Sequence, residues 1–189
     1  MATQQRRERE RAQRETLIVN AAREMAEADG WPAVTVRRLA ERIEYSQPVL
    51  YSHFAGRGAI VDAVALLGIG ELAASLEAAR VGAAPGEELE AVAQAYLDFA
   101  AEHPAVFEAA FTLAEGLPFG PDAPDELKAG FAPLFAVFAP LAGDHDPEAV
   151  TEAGWAAIHG LAVLARDGRL RPRHQRERLA VLLEKFTST

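Results

Sequence analysis

The chain has 189 residues, half of them apolar and a quarter charged, and contains no cysteine. That is enough chain to bury a core in one or two small domains, and it excludes a disulfide framework, a thiolate nucleophile and a cysteine zinc site. The net charge of −9 argues against nucleic acid when taken whole, but residues 1–58 carry ten arginines against eight acids, a net of +2, and the rest carries −11. Binding responds to the local field rather than the total, so the asymmetry implies two functional parts.

Apolar spacing is helical almost throughout, and no stretch alternates as a strand, so an all-α fold is expected. No uninterrupted apolar run reaches the ~18 residues of a membrane span. The opening "MATQQRRERERAQRE" lacks the apolar centre of a signal peptide. A cytoplasmic location without a membrane partner follows as an expectation. Residues 1–9 are expected to be disordered. The tract "RRERERAQRE" at 6–15 reads as a solvated, self-paired helix face (Glu10 with Arg14 at i,i+4), with a DNA-reaching arm as the other reading.

A first helix over about 10–29 carries the apolar stripe Leu17, Ile18, Ala21, Ala22, Met25 and Ala28. Gly30 is its natural stop, with Pro32 beyond. Thr35 is the N-cap expected for a short helix that turns Leu39, Ala40 and Ile43 inward. Ser46 is the expected cap of the next, and Pro48 then falls in the first turn, where its missing N–H costs nothing. Leu50 and Phe54, four apart, can face the core. Gln47, Pro48, Val49, Tyr51, Ser52 and His53 are left largely on other faces. A fourth helix is expected from Gly56-Arg57 to about Val81, with Gly68 and Gly70 as weak points. Further helices fit 87–102, 104–115, 124–142, 147–167 and 173–186. Loops at 82–88, 116–124, 143–147 and 167–173 separate most of them.

Two short capped helices, close together and preceded by a longer one, read as a helix-turn-helix, whose second helix enters the major groove. Gln47 can pair with adenine, Pro48 or Val49 can meet a thymine methyl, and Tyr51, Ser52 and His53 can donate to phosphate or base. Arg37, Arg38 and Arg57 surround the site with positive charge, and Thr35 starts a helix whose free N–H groups favour a phosphate. Double-stranded DNA is the expected partner.

The stretch "TVRRLAERIEYSQPVLYSHFAGR" resembles the DNA-binding signature of the tetracycline-repressor (TetR) family, and "IVNAAREMAEADGWPAVT" is similar to its first helix and turn. The resemblance covers about residues 15–62. It implies an all-α homodimer, each subunit with an N-terminal three-helix DNA-binding domain and a C-terminal helical ligand-binding and dimerisation domain. On this chain the division is expected at 1–56 and 57–189. Carried over residue by residue, it implies base contacts from Arg37, Gln47, Pro48, Val49 and Tyr51, and phosphate contacts from Thr35, Tyr51, His53 and Arg57. Glu44 stands where the family's turn commonly has glycine, which strains the turn if the position is left-handed. Gly58 stands where a polar or acidic residue is usual.

Trp155, His159 and Gly160 in "EAGWAAIHG" resemble a subgroup of the family with a Trp-His-Gly signature. "FAAEHPAVFEAAF" at 99–111 is also similar to that subgroup. The resemblance implies that the helices at about 147–167 and 173–186 pair with their copies in the other subunit. A family-type pocket between these helices, rich in Phe and poor in charge, would favour a small apolar or aromatic effector. Its candidate lining is Tyr96, Phe99, His103, Phe107, Phe111, Phe135, Trp155 and His159, although helical spacing makes ordinary core packing the competing role for each. Asp144-His145-Asp146 reads as a solvated connection ending in a helix cap, so neither a metal nor a cofactor is expected. Signatures of phosphate-binding loops, hydrolase elbows and zinc proteases are absent. The expectation is a repressor of a near-palindromic operator. The alternatives are a helical-bundle enzyme or small-molecule carrier built on His103, Trp155 and His159, and an adaptor that does not bind DNA.

Overall fold

The computed structural model describes residues 2–118, 120 and 123–188. Among the described residues the regular structure is helical throughout: α1 (Ala2–Asp29), α2 (Val36–Arg42), α3 (Gln47–His53), α4 (Arg57–Gly82), α5 (Glu88–Glu102), α6 (Pro104–Glu108), α7 (Asp125–Phe138), α8 (Pro147–Arg166) and α9 (Gln175–Thr187). Short 3-10 turns follow α1 and α7 and precede α9, and a π-helical segment, Ala109–Leu113, continues α6. The chain forms two compact units. One runs to Gly68 and includes Ala105–Pro118; the other holds Ile69–Pro104 and the helices from α7 onward.

This division differs from the expected one after residue 56. The first half of α4 and α6 from Ala105 onward lie with the amino-terminal helices, where Glu27 and Trp31 bind the start of α6. The Glu27 carboxylate accepts from the backbone N–H groups of Ala105 and Val106, each at 3.2 Å, and the Trp31 indole N–H donates to the Ala105 carbonyl at 2.7 Å. The carboxylate thus satisfies two of the donors that a helix N-terminus leaves unpaired.

In this unit Ile18, Ala22 and Met25 of α1, Leu39 of α2, Leu50 of α3 and Ile60, Val61 and Val64 of α4 are buried together with Trp31 and Phe107. Two residues of the expected α1 stripe are not in it: Leu17 is 43% exposed and Ala28 is exposed, while Val19 and Ala26 are buried instead. Disorder is the expectation for residues 1–9. Met1 lies outside the described residues, but α1 is continuous from Ala2. Pairs at i,i+4 support it, Gln4 with Glu8 and Arg6 with Glu10, and Glu10 therefore pairs with Arg6 rather than with Arg14.

The weak points expected in α4 do not break it. A Cβ at Gly68 would overlap the Val106 side chain, so this glycine permits a close approach. By length and composition α4 could cross a membrane, but half of its apolar window is buried inside the protein, as in a core helix.

The second unit packs α5 against α7, α8 and α9 around Val92, Tyr96, Leu134, Phe138, Ile158 and Leu179. Gly154 lets α8 approach the Phe138 ring, which a Cβ there would overlap. Asp146 caps α8 by accepting from the Ala149 N–H at 2.9 Å, which explains the acidic connection before Pro147. In the expected 116–124 connection, residues 119, 121 and 122 lie outside the described residues.

Candidate functional site

The helix-turn-helix is built as its capping chemistry dictates. Thr35, extended at φ −120°, accepts from the Arg38 N–H at 3.2 Å and starts α2. The turn to α3 passes through Glu44 at φ 58°, the left-handed region where glycine is preferred. Ser46 occupies the N-cap position of α3, yet its side chain makes no capping bond; its carbonyl receives Val49 N and Leu50 N instead. Pro48 lies in the first turn, where no N–H is needed.

The burial of Leu50 fixes the rotation of α3. Gln47, Pro48, Tyr51 and Ser52 are exposed, with Tyr51 56% exposed, and Val49 is half-buried. An exposed face carrying glutamine, proline and tyrosine at a helix start offers an amide, an apolar contact and a phenol to a groove. The Ser52 hydroxyl donates to the Val49 carbonyl at 2.6 Å.

The surrounding charges divide into free and committed groups. Arg37 is exposed and pairs only with Glu41 on its own helix, at 3.0 Å. Such a pair contributes little and leaves the guanidinium available. Arg38 donates to the Ala33 carbonyl and to Asp29, both at 3.2 Å. Arg57 donates to the carbonyls of Val34, at 2.9 Å, and Trp31, at 3.0 Å, with its guanidinium carbon 5.9 Å from the Trp31 ring centroid. The His53 side chain is 7% exposed, and its Nδ1 lies 3.2 Å from Glu15 of α1. Hydrogen bonds from Arg11, and then from His53, hold the Glu15 carboxyl below the usual carboxylate range. His53 and Arg57 therefore both brace the motif, the first from within and the second from its exposed edge, an arrangement their spacing in the sequence did not signal.

The expected effector residues fall in both units. Phe107 and Phe111 stack at 4.7 Å in the first unit, while Tyr96, Phe99, His103, Phe135, Trp155 and His159 belong to the second. There Phe99 meets His103 edge-on at 4.9 Å, and Phe135 lies 6.2 Å from Phe131 and is 38% exposed. Tyr96, Trp155 and His159 form one chain of hydrogen bonds. The Trp155 indole N–H donates to the Tyr96 oxygen at 3.1 Å, and His159 Nδ1 lies 2.9 Å from that oxygen. The Tyr96 hydroxyl and His159 Nδ1 share one hydrogen bond, whose donor is set by the tautomer of the ring. Burial pushes the Tyr96 phenol well up, and burial followed by the charge of Arg166 holds His159 below its ordinary value. Tyr96 thus supplies a partner to the half-buried histidine.

The second unit does contain a cavity, of about 540 Å³, between α5, α8 and the turn into α9. Leu97, Ala100, Leu161 and Ala162 form apolar walls, with Arg166, Gln175 and Arg178 at its edge. None of the eight expected residues lines it. Its polar residues lie on two helices and in no recognisable spacing, so only the tertiary structure brings them together. Its size and composition suit a small ligand with an apolar body.

A capped helix-turn-helix with a polar, aromatic outer face, joined in one chain to a helical unit holding a ligand-sized cavity, defines a DNA-binding regulator. Comparison with known proteins agrees. Residues 18–64 match the bacterial regulatory proteins of the tetR family, and residues 89–186 match the tetracyclin repressor-like C-terminal domain. The chain belongs to the TetR family of transcriptional regulators. It is 30% identical over 156 residues to the HTH-type transcriptional regulator Rv0681 of Mycobacterium tuberculosis, covering 80% of this chain and 69% of that one. It is 32% identical over 94 residues to the HTH-type transcriptional regulator YobS of Bacillus subtilis, covering 50% of this chain and 49% of that relative. Among solved structures, a Rhodococcus protein superposes with a TM-score of 0.71 at 25% identity, covering 91% of this chain and 92% of that one. The TetR family regulator PfmR of Thermus thermophilus shares the fold with a TM-score of 0.62 at 20% identity, over 88% of this chain and 95% of that one. Family membership makes the protein a regulator of transcription and not an enzyme.

Proposed function

We propose that the protein is a homodimeric, cytoplasmic repressor that holds a near-palindromic operator and releases it when a small molecule binds. The observation that carries the operator reading is the outward face of α3. Leu50 is buried and locks the helix, leaving Gln47, Pro48 and Tyr51 exposed toward a groove. Two such helices in a dimer would read half-sites about 34–36 Å apart. Exposed Ala153, Ala156 and Leu164, with half-buried Gly160, form a small-residue face on α8. That face supports pairing of α8 and α9 with their copies. The Trp155-His159-Gly160 motif supports the Trp-His-Gly subgroup.

The functional division remains the helix-turn-helix through residue 56, with the ligand and dimer functions beyond it. The cavity beside Leu97 and Leu161 supports an effector with an apolar or aromatic body. Such a ligand acts by preferring the conformation that does not fit the operator; inverting a 1:99 balance takes roughly a 10⁴-fold preference.

Selection of duplexes from a random DNA library tests this reading, with wild type run beside Gln47→Ala and Tyr51→Ala. A palindrome from wild type, with altered or lost preference in either variant, is expected. A folded dimer that enriches no sequence would overturn the operator reading.

A further inference from the structure

The basic tract before residue 15 is not used by the helix-turn-helix, yet its register is not arbitrary. Arg7, Arg11 and Arg14 are spaced by four and three residues, and the same alternation continues through Ile18, Ala21 and Met25. Positions so spaced share one face of a helix, which drifts only ~20° per heptad. α1 is uninterrupted across both halves. Its carboxyl-terminal half buries Ile18, Ala21 and Met25, and it packs on α2 and α3. Its amino-terminal half therefore carries the three arginines on the continuation of that buried face, next to Glu15, which meets α3.

The contact of His53 with Glu15 marks where the end of α3 meets α1. From there to Arg7 is eight residues, or about 12 Å of helix rise, comparable with the ~12 Å width of a major groove. Arg7 and Arg14 are exposed and have no ion-pair partner among the described residues. Arg11 is 62% exposed and pairs at 2.8 Å with Glu15. That pair anchors Arg11 beside α3, and an exposed pair of this kind exchanges readily for phosphate. Arg9 lies two residues from both Arg7 and Arg11, on the far side of the helix, and donates to the Gln5 carbonyl at 3.3 Å.

We propose that Arg7, Arg11 and Arg14 form a second DNA-contact surface, which grips backbone phosphates beside the groove that α3 enters. The proposal rests on the operator reading and adds to it a sequence-independent contact. Its partner is the phosphate backbone of duplex DNA. It predicts where the positive charge of an otherwise acidic chain acts.

Fluorescence anisotropy of the selected operator and of an unrelated duplex of equal length, titrated between about 50 and 200 mM salt, separates the possibilities. Arg7→Ala/Arg14→Ala is expected to reduce the slope of log affinity against log salt by about 1.8 per protomer, at ~0.9 for each phosphate no longer neutralised. The ratio of operator to unrelated affinity stays unchanged. Arg9→Ala leaves the slope where it is. All these positions are exposed, and alanine favours helix, so the fold is not at risk. An unchanged slope in the double variant overturns the proposal while leaving the operator reading intact. So does an equal fall in Arg9→Ala, or a lost sequence preference at constant slope. Failure of wild type to bind either duplex overturns both.

Discussion

Replacing Glu44 by glycine should stabilise the protein, because this residue holds a backbone conformation that its side chain opposes. At φ 58° an L-residue carries a strain of about 1–2 kcal/mol. Glycine removes that strain, but it gains about 0.5–1 kcal/mol of backbone freedom in the unfolded chain, which is lost on folding. The net expectation is roughly 0.5–1 kcal/mol in favour of Glu44→Gly. The side chain is exposed, so no packing is sacrificed. In a chain of this size the shift corresponds to about 1–4 °C in Tm, measurable by thermal unfolding followed by circular dichroism. Glu44→Ala keeps the strain and should not stabilise. Glu44→Gln removes the charge but not the strain, and should leave Tm near wild type. If alanine stabilises as much as glycine, or glycine destabilises, the strain account of this turn is wrong.

Glu27→Ala should cost about 1–3 kcal/mol in urea unfolding, because the first two N–H groups of α6 lose a charged acceptor. Glu24→Ala, which breaks only an exposed pair with Arg42, should cost less than ~1 kcal/mol. Gly154→Ala should destabilise by about 1–3 kcal/mol, since the new methyl overlaps the Phe138 ring. Gly160 has no heavy atom within 4 Å of the corresponding position, so Gly160→Arg should preserve helicity yet shift the protein from dimer to monomer in size-exclusion chromatography. His159 binds its proton less readily in the folded state than in the unfolded chain, so its contribution to stability is present above about pH 6.5 and lost as pH falls through its lowered folded value. Thermal unfolding from neutral to mildly acid pH should show this decline, and His159→Gln should flatten it.

Local chemistry made the helix-turn-helix legible in the sequence. Thr35, Pro48 and Gly30 act on neighbours a few residues away, and the strain at Glu44 follows from turn geometry alone. Ser46 shows the limit of such reasoning: it stands at the expected cap position, but its hydroxyl makes no capping bond. Pairings between distant parts of the chain were not legible. The partner of His159 is 63 positions away, and the residue against Gly68 is Val106. The α1 stripe was misread at Leu17 and Ala28 because periodicity identifies a face but not which edge of it the neighbouring helices cover. The cavity was missed for a related reason. Arginine and glutamine on separate helices carry no spacing signal, whereas the aromatics that did stand out are mostly packing residues.

The two hydrogen bonds from Arg57 to the carbonyls of Val34 and Trp31 change how an alanine scan of this surface should be interpreted. Truncating Arg57 would remove the donor to the Val34 carbonyl and one of the two donors to the Trp31 carbonyl, in the turn that leads into Thr35. A weakened operator complex in Arg57→Ala would then report a displaced helix rather than a missing phosphate ligand. Arg57→Lys, with one ammonium in place of a two-pronged donor, should reproduce much of the defect although its charge is intact. Shape and charge can be told apart at this position, whereas a scan that uses alanine alone would not separate a structural brace from a DNA ligand.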